Sequence, residues 1–436
     1  MRGLYFLPVF LFSLALKGQQ PLRLQEAISL GLEQNFDIRL AKTETELARD
    51  ASSPGMAGFF PSLSLNLGTT MQSSNLSQKF ASGLEVDRNG VGSSAVNGGL
   101  ALSWLFFDGG KMFLTRKKLS RQLSAAELKL QQQVMAFADS LAASYYQVVL
   151  AGLDLKILSQ SRSSVEERLR LAKEQQRIGT RPPSDALQAK MDLMQLQNRI
   201  IAQQKQVEIK KAALNLLIGR GPEIDFEPVD TVRVPELQEF SSLRQQVLEK
   251  NLQLRSQREN LEVARLGLGE IRTRMLPQLG LNMSLNYQRS SSTAGFALFN
   301  RSLGPLAGIS LSLPVFNGVS VKRQLRMAGR DLEAREIQLK LAENRMLFQA
   351  WRTLKNLETW TESMENEKEV QLLARENLRI VQDRFRQGLA TSMEIRDAEN
   401  QLENSRIRLE QCRYQSAIAG NQLLRLSASL DAGSLK

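Results

Sequence analysis

A seam of apolar and small residues runs through positions 111–178, with one member every seven residues. Its members are Leu130, Phe137, Ser144, Ala151, Leu158, Val165 and Ala172, and Val134, Leu141, Val148 and Leu155 lie between them. Alternating steps of four and three residues over so many turns indicate a coiled coil. At about 1.5 Å per residue the predicted helix is roughly 100 Å long, which no compact globular core requires.

The seven-residue step continues beyond two glycine turns, where each long helix is predicted to reverse. The returning seams are Ala186, Leu193, Ile200, Val207 and Leu214 after the first turn, and Ile395, Leu402, Leu409, Ser416 and Leu423 after the second. Two antiparallel helical hairpins of unusual length are therefore predicted.

Shorter stretches upstream of each hairpin alternate between apolar and small polar residues. In residues 61–68 and 308–315, Leu or Ile at every second position is separated mainly by Ser or Asn. This period of two predicts strands with lipid or core on one face and water on the other. Residues 72–95 and 290–304, which are rich in Ser, Asn and Gly, are predicted to be surface loops between the strands.

The chain is a tandem duplication. Asn35–Arg39 aligns with Asn251–Arg255 at an offset of 216, and farther on Phe107–Gly109 aligns with Phe316–Gly318 at an offset of 209. The predicted boundaries are a first repeat at 19–220 (strand pair 61–106, hairpin 109–219), a Pro-rich linker at 221–235, a second repeat at 236–430 (strand pair 277–315, hairpin 318–428) and a tail at 431–436. Each repeat has the same order of elements, so the fold class is mainly α with a β segment.

The first residues read as an export signal. A basic head is followed by the apolar run Leu4–Leu16, which predicts a signal peptide at residues 1–18, with an uncleaved anchor as the alternative. Beyond residue 20 we expect no apolar stretch long enough to cross a bilayer as a helix, so any crossing is expected to use strands.

Composition removes most enzyme chemistry. The chain has no histidine, and Cys412 is its single cysteine, which excludes disulfides within the chain and zinc sites of the Cys/His type. The net charge of +12 is spread along helical faces among Glu and Gln, so nucleic-acid binding is not expected. We expect no catalytic residue, cofactor or metal.

The duplicated order and several short motifs together resemble the TolC-like outer-membrane efflux protein family. The motifs are the opening Leu24–Asn35, the strand entry Phe59-Phe60-Pro61, the strand exit Leu105–Gly110 and the turns at Gly179 and Gly388. The resemblance implies a homotrimer in which four strands from each chain close one 12-stranded barrel in outer-membrane lipid. The helices would form a coiled-coil α-barrel in the periplasm.

The resemblance also implies a function: a passive exit duct of a tripartite efflux or type I secretion system. Its expected partners are a periplasmic adaptor (membrane fusion protein) and an inner-membrane pump. The alternative is an exported periplasmic coiled-coil adaptor, which predicts a single hairpin beside a compact β-rich domain.

The hairpin turns are the candidate functional positions. By resemblance, a periplasmic gate is expected at Asp185, Phe385, Glu394 and Asp397, and adaptor-docking tips are expected at Ile178, Gly179, Thr180, Gln387, Gly388 and Leu389. Plainer interpretations stay open: Thr391–Glu394 reads as a capping box, Asp185 suits a helix's first turn, Phe385 suits a core, and each Gly suits an interhelical turn. The polar or basic residue often found two positions after the second Gly is Ala390 here.

Overall fold

A computed structural model describes residues 20–230, 232, 236–294, 297–316 and 318–428. The predicted signal peptide (1–18) and tail (431–436) lie outside the described residues, as does part of the predicted linker.

Helices and strands follow the same order in the two halves of the described chain. The helices are α1 (Leu24–Gln34), α2 (Phe36–Ala51), α3 (Lys111–Arg177), α4 (Pro183–Leu217), α5 (Phe240–Lys250), α6 (Leu252–Thr273), α7 (Ser320–Arg386) and α8 (Ser392–Leu426). The strands are β1 (Gln20–Leu22), β2 (Ser62–Lys79), β3 (Glu85–Phe107), β4 (Phe226–Pro228), β5 (Gln278–Ser292) and β6 (Phe299–Ser312).

The two hairpins have matching lengths. Helices α3 and α7 each contain 67 residues, and α4 and α8 each contain 35. The predicted seam is buried where it packs: Leu141 is 0% exposed, and Val165 and Ala172 are 7% and 0% exposed. All five returning positions in α8, from Ile395 to Leu423, are buried. The heptad pattern therefore correctly predicted both the hairpins and their packed faces.

The residues group into two compact units that do not coincide with the two sequence repeats. Of the described residues, those in the ranges 20–41, 130–252 and 343–428 form one unit, and those in 42–129 and 253–342 form the other. Each unit thus takes segments from both repeats.

In the second unit, the four long strands form one antiparallel sheet in the order β2-β3-β5-β6. The central pair, β3 and β5, joins the first repeat to the second, for example at Leu100 opposite Leu285. Strands β2 and β6 form the two edges, and neither has a strand partner on its outer side among the described residues. Alternate apolar residues of the edge strands are exposed, such as Leu65 at 63% and Leu311 at 68%.

The predicted surface loops are wrong over most of their length. Strand β2 continues to Lys79 and β3 starts at Glu85, so the residues predicted as a loop at 72–95 are mostly paired strand. Similarly β5 extends to Ser292 and β6 starts at Phe299. Alternation of apolar and polar residues indicates a strand only where one of its faces is covered. The hydrogen bonds between paired strands, in contrast, need only backbone N–H and C=O groups. A ribbon that is polar on both faces therefore carries no signal of period two.

The main core of the first unit surrounds Tyr145 of α3. Its hydroxyl donates to the carbonyl of Leu22 at 2.8 Å and accepts from the backbone N–H of Val229 at 3.1 Å. Burial raises the pKa of Tyr145 to about 12. These bonds hold the two-stranded parallel sheet of β1 and β4 against the long helix.

Helix α3 corrects the expectation that no helix could cross a bilayer. By length and composition alone, it is the one helix among the described residues that could cross a bilayer. Its apolar stretch has another use, because Leu141, Ala142, Tyr145 and Val148 are buried in the core around Tyr145. The apolar stretch of α3 is explained by its packing against other parts of the protein. A count of apolar residues along the sequence cannot distinguish such packing from contact with lipid.

Candidate entrance site at the hairpin tips

Both hairpins turn on a glycine in the left-handed conformation. Gly179 has φ +76° and Gly388 has φ +78°, a region that residues with a Cβ rarely adopt. After each glycine the chain folds back on its own helix: Thr180 N–H donates to Gln175 O at 2.9 Å, and Leu389 N–H donates to Arg384 O at 2.8 Å. The two tips therefore share one backbone structure.

All six residues predicted as docking tips are exposed. They are Ile178, Gly179, Thr180, Gln387, Gly388 and Leu389. The apolar members are highly accessible, with Ile178 at 61% and Leu389 at 66%. Each tip thus presents one large apolar side chain to its surroundings.

Glu394 forms the capping box that its spacing allowed. Its carboxylate accepts from the Thr391 N–H at 2.6 Å, and the Glu394 N–H donates to the Thr391 hydroxyl at 3.2 Å. The backbone bond from Thr391, followed by the hydroxyl, lowers the pKa of Glu394. Asp397 lies one turn on with its side chain 54% exposed, at 3.7 Å from Arg396. Both carboxylates are therefore accessible and the first is held ionised.

Phe385 is fully buried, in a cluster of apolar side chains contributed by α7 and α8. The guanidinium of Arg181 lies 4.3 Å from the centre of its ring. A cation over an aromatic face is attracted by the ring quadrupole, more strongly where water is excluded. Phe385 is thus a core residue that also contacts the opposite hairpin.

Arg181 is the residue that the sequence reasoning missed. Its side chain, 9% exposed, forms an ion pair with Asp185 at 2.9 Å and donates to the backbone carbonyl of Ala390. Asp185 therefore serves as the partner that orients Arg181, in addition to lying in the first turn of α4. One arginine ties the first tip to the second.

The duplication contained a signal for Arg181. At the offset of 209 it aligns with Ala390, the position where a polar or basic residue was missing from the second repeat. The basic group is present in the first repeat instead, and it reaches the backbone of the residue with which it aligns.

Gln175 forms a second tie near the tips. Its side-chain amide donates to Phe385 O at 3.1 Å and to Arg386 O at 3.5 Å, and the residue is 8% exposed. These carbonyls belong to the last turn of α7, where that of Phe385 also accepts from the N–H of Gly388 at 3.0 Å. Nothing in the sequence distinguishes Gln175 from the other glutamines of α3.

A buried ionic cluster lies eleven residues before the first tip. Arg168 is 1% exposed, and its guanidinium lies 2.8 Å from Asp192 of α4 and 3.2 Å from Glu399 of α8. The amide of Gln188 donates to the other oxygen of Asp192 at 2.8 Å. Burial raises the pKa of Glu399 to about 7, against the opposing effect of Arg168. In the sequence Arg168 lies between the seam positions Val165 and Ala172, where a charged residue was expected to be solvated.

A further ion pair joins Arg199 of α4 to Glu403 of α8, whose side chain is 6% exposed. Arg181, Gln175, Arg168 and Arg199 each make at least one contact from the first hairpin to the second. Separation of the hairpins would break these polar contacts. The charged groups that it exposes can be solvated by water, whereas the side chains of a purely apolar seam cannot. No group of His, Cys, Asp or Glu in the described part of the chain could hold a metal ion.

The fold and these tips define a class of protein: a duplicated chain that contributes a four-stranded sheet and two very long helical hairpins. The family model described as "Outer membrane efflux protein" matches residues 27–220 and 243–429. The chain belongs to this family. It is an outer-membrane channel protein that extends into the periplasm.

Individual relatives agree with this assignment. Outer membrane protein TolC of Escherichia coli is 21% identical over 431 residues, covering 96% of this chain and 84% of TolC. Alkaline protease secretion protein AprF of Pseudomonas aeruginosa is 23% identical, covering 95% of this chain and 86% of AprF. The solved CmeC outer membrane channel of Campylobacter jejuni has a TM-score of 0.77 at 17% identity, covering 94% of this chain and 88% of CmeC.

In this family the barrel forms only in the trimer. The sheet described above suits a barrel that closes between chains. Among the described residues, the outer sides of its edge strands β2 and β6 have no partner, and an exposed sheet edge is a template for pairing with another chain.

Proposed function

We propose that three copies of this chain form the passive exit duct of a tripartite export system, reached through a periplasmic adaptor and energised by an inner-membrane pump. The observation that carries the proposal is the sheet with two unpaired edges, whose strands lead into hairpins of matching length. Pairing β6 of one copy with β2 of the next removes every edge. The exposed alternate leucines of these strands would then contact lipid.

The proposed adaptor-docking surface consists of the six tip residues, including Ile178 and Leu389, whose exposed apolar side chains suit contact with another protein. No catalytic step is assigned to the chain, since transport through a duct needs only a path and a gate. Relatives named for efflux and for protease secretion are similarly distant. We therefore propose that the pump, and not this chain, selects the exported compound.

The proposed gate consists of Asp185, Phe385, Glu394 and Asp397, together with Arg181. In the resting state Arg181, oriented by Asp185 of its own hairpin, holds the second tip against the first through Phe385 and the carbonyl of Ala390. Glu394 and Asp397 lie on one helical face at a spacing of three, and both are exposed. Threefold symmetry would gather six carboxylates at the entrance, which favours cations.

Membrane fractionation and planar-bilayer recording test the proposal. The expected result is a heat-modifiable trimer in the outer membrane that conducts ions after purification. A monomer in the soluble periplasmic fraction, or a trimer without conductance, would contradict it. A soluble protein that binds an inner-membrane pump would favour the adaptor alternative.

A further inference from the structure

The buried cluster around Arg168 is open to solvent on one side. A cleft of about 480 Å³ lies between α3, α7 and α8, and Glu399 is among the residues that line it. Gln160, Ser161 and Ser164 line the cleft from α3. Water in this cleft gives protons a path to a carboxyl group whose side chain is only 9% exposed.

The cluster contains more acid than base. Arg168 is shared by two carboxylates, those of Asp192 and Glu399. Asp192 has a second donor in Gln188, but the Oε1 atom of Glu399 is buried without a hydrogen-bond partner. When both acids are ionised, the cluster therefore carries one uncompensated negative charge, which is costly in a medium of low dielectric constant.

The charged groups that face Glu399 come from every helix around it. They are Arg168 from α3, Asp192 from α4, Glu403 and Arg406 from α8, and Arg375, Glu376 and Arg379 from α7 across the cleft. Glu403 is already paired with Arg199, and Glu376 with Arg379 at 2.7 Å. Of the acids in this set, Glu399 combines a side chain that is 9% exposed with an oxygen that has no hydrogen-bond partner.

We propose that Glu399, with Arg168 and Asp192, is a proton-sensitive latch between the two hairpins, which holds the resting channel closed when protonated and weakens when ionised. The inference rests on the proposed function, because it assumes that the hairpins separate as the entrance opens. It adds a position of control that is distinct from the exposed acids at the tips.

The direction follows from linkage. The pKa of Glu399 is raised from its ordinary value of 4.5 to about 7 in the packed arrangement, and separation of the hairpins would return the group to water. Because the pKa is higher in the closed arrangement, a proton on Glu399 stabilises that arrangement. This stabilisation is present in full below pH 4.5 and is lost as pH rises through about 7. Within that window the opening equilibrium changes by up to about tenfold per pH unit and per subunit.

The test is open probability in planar bilayers, recorded for the full-length trimer as pH is raised from 4.5 to 7. The native channel should open more as pH rises. Glu399→Gln, which fixes an uncharged side chain of the same shape, should remove the response in this window and keep the low open probability. Glu376→Gln is the matched control, since it lines the same cleft but its side chain is 56% exposed and Arg379 lowers its pKa.

Thermal unfolding of the trimer separates a gating effect from a folding defect. Glu399→Gln should melt at the native temperature or above it, and the excess of stability over native should grow towards pH 7. A native pH response retained in Glu399→Gln, or lost equally in Glu376→Gln, would overturn the latch. If the native protein conducts at no pH, the proposed function fails instead, so the two failures are distinguishable.

Discussion

Substitution of Arg181 by Gln should open the resting channel. The change removes the ion pair with Asp185, the contact of the cation with Phe385 and a charged donor to the carbonyl of Ala390. Glutamine is too short to reach all three groups and carries no charge. Near the tips, the bond from the Gln175 amide to the carbonyl of Phe385 would remain between the two hairpins.

The size of the effect follows from the burial of Arg181. A hydrogen bond to a charged group contributes about 1.5–3 kcal/mol, and a partly desolvated cation–π contact contributes about 1–2 kcal/mol. These contributions are not additive, so we take about 2–4 kcal/mol per subunit. At about 1.4 kcal/mol for each factor of ten, the opening equilibrium should shift by roughly 30- to 700-fold.

Single-channel recording in planar bilayers measures this shift as open probability at low voltage. Arg177→Gln is the matched control: it lies four residues away on the same tip, but its side chain is 78% exposed and pairs with Glu174. Surface pairs of this kind contribute about 0–1 kcal/mol. Equal open probability in the native channel and Arg181→Gln would refute the role of the arginine as a tie, as would an equal increase in both variants.

Three further experiments test other parts of the structure. Glu394→Gln with Asp397→Asn should reduce the preference of the channel for cations, measured as reversal potential in a salt gradient; an unchanged preference would remove both residues from the entrance. Gly388→Ala should lower trimer stability by about 1–2 kcal/mol because its φ is +78°, whereas Gly152→Ala, in mid-helix with open space at its Cβ, should raise it by about 1 kcal/mol. Both are read from thermal unfolding, and a reversed order would contradict the assigned turn. Tyr145→Phe should cost about 1–3 kcal/mol in the same assay, since Leu22, Val229 and Asp230 lose their common partner.

The hairpins could be predicted from sequence because a heptad pattern describes one helix and the face that it buries. Leu141, Val165 and Ala172 are buried as their spacing indicated. The turns at Gly179 and Gly388 could be predicted for the same reason, since a positive φ is a property of a single residue. The strand ends could not, because the polar ribbon beyond residue 72 pairs through backbone groups that no side-chain pattern reveals.

The contacts between hairpins depended on tertiary structure. Arg168 and Arg181 looked like solvated charges on helix faces, yet packing of one hairpin on the other buries both side chains. Glu394 forms the capping box that its spacing allowed, and Asp397 is exposed. Neither spacing nor composition could indicate that Glu399, two residues after Asp397, is buried with its side chain 9% exposed. Periodicity along a chain reports which face of an element is covered. Which charge meets which depends on the register between elements far apart in sequence, and only the packed structure fixes that register.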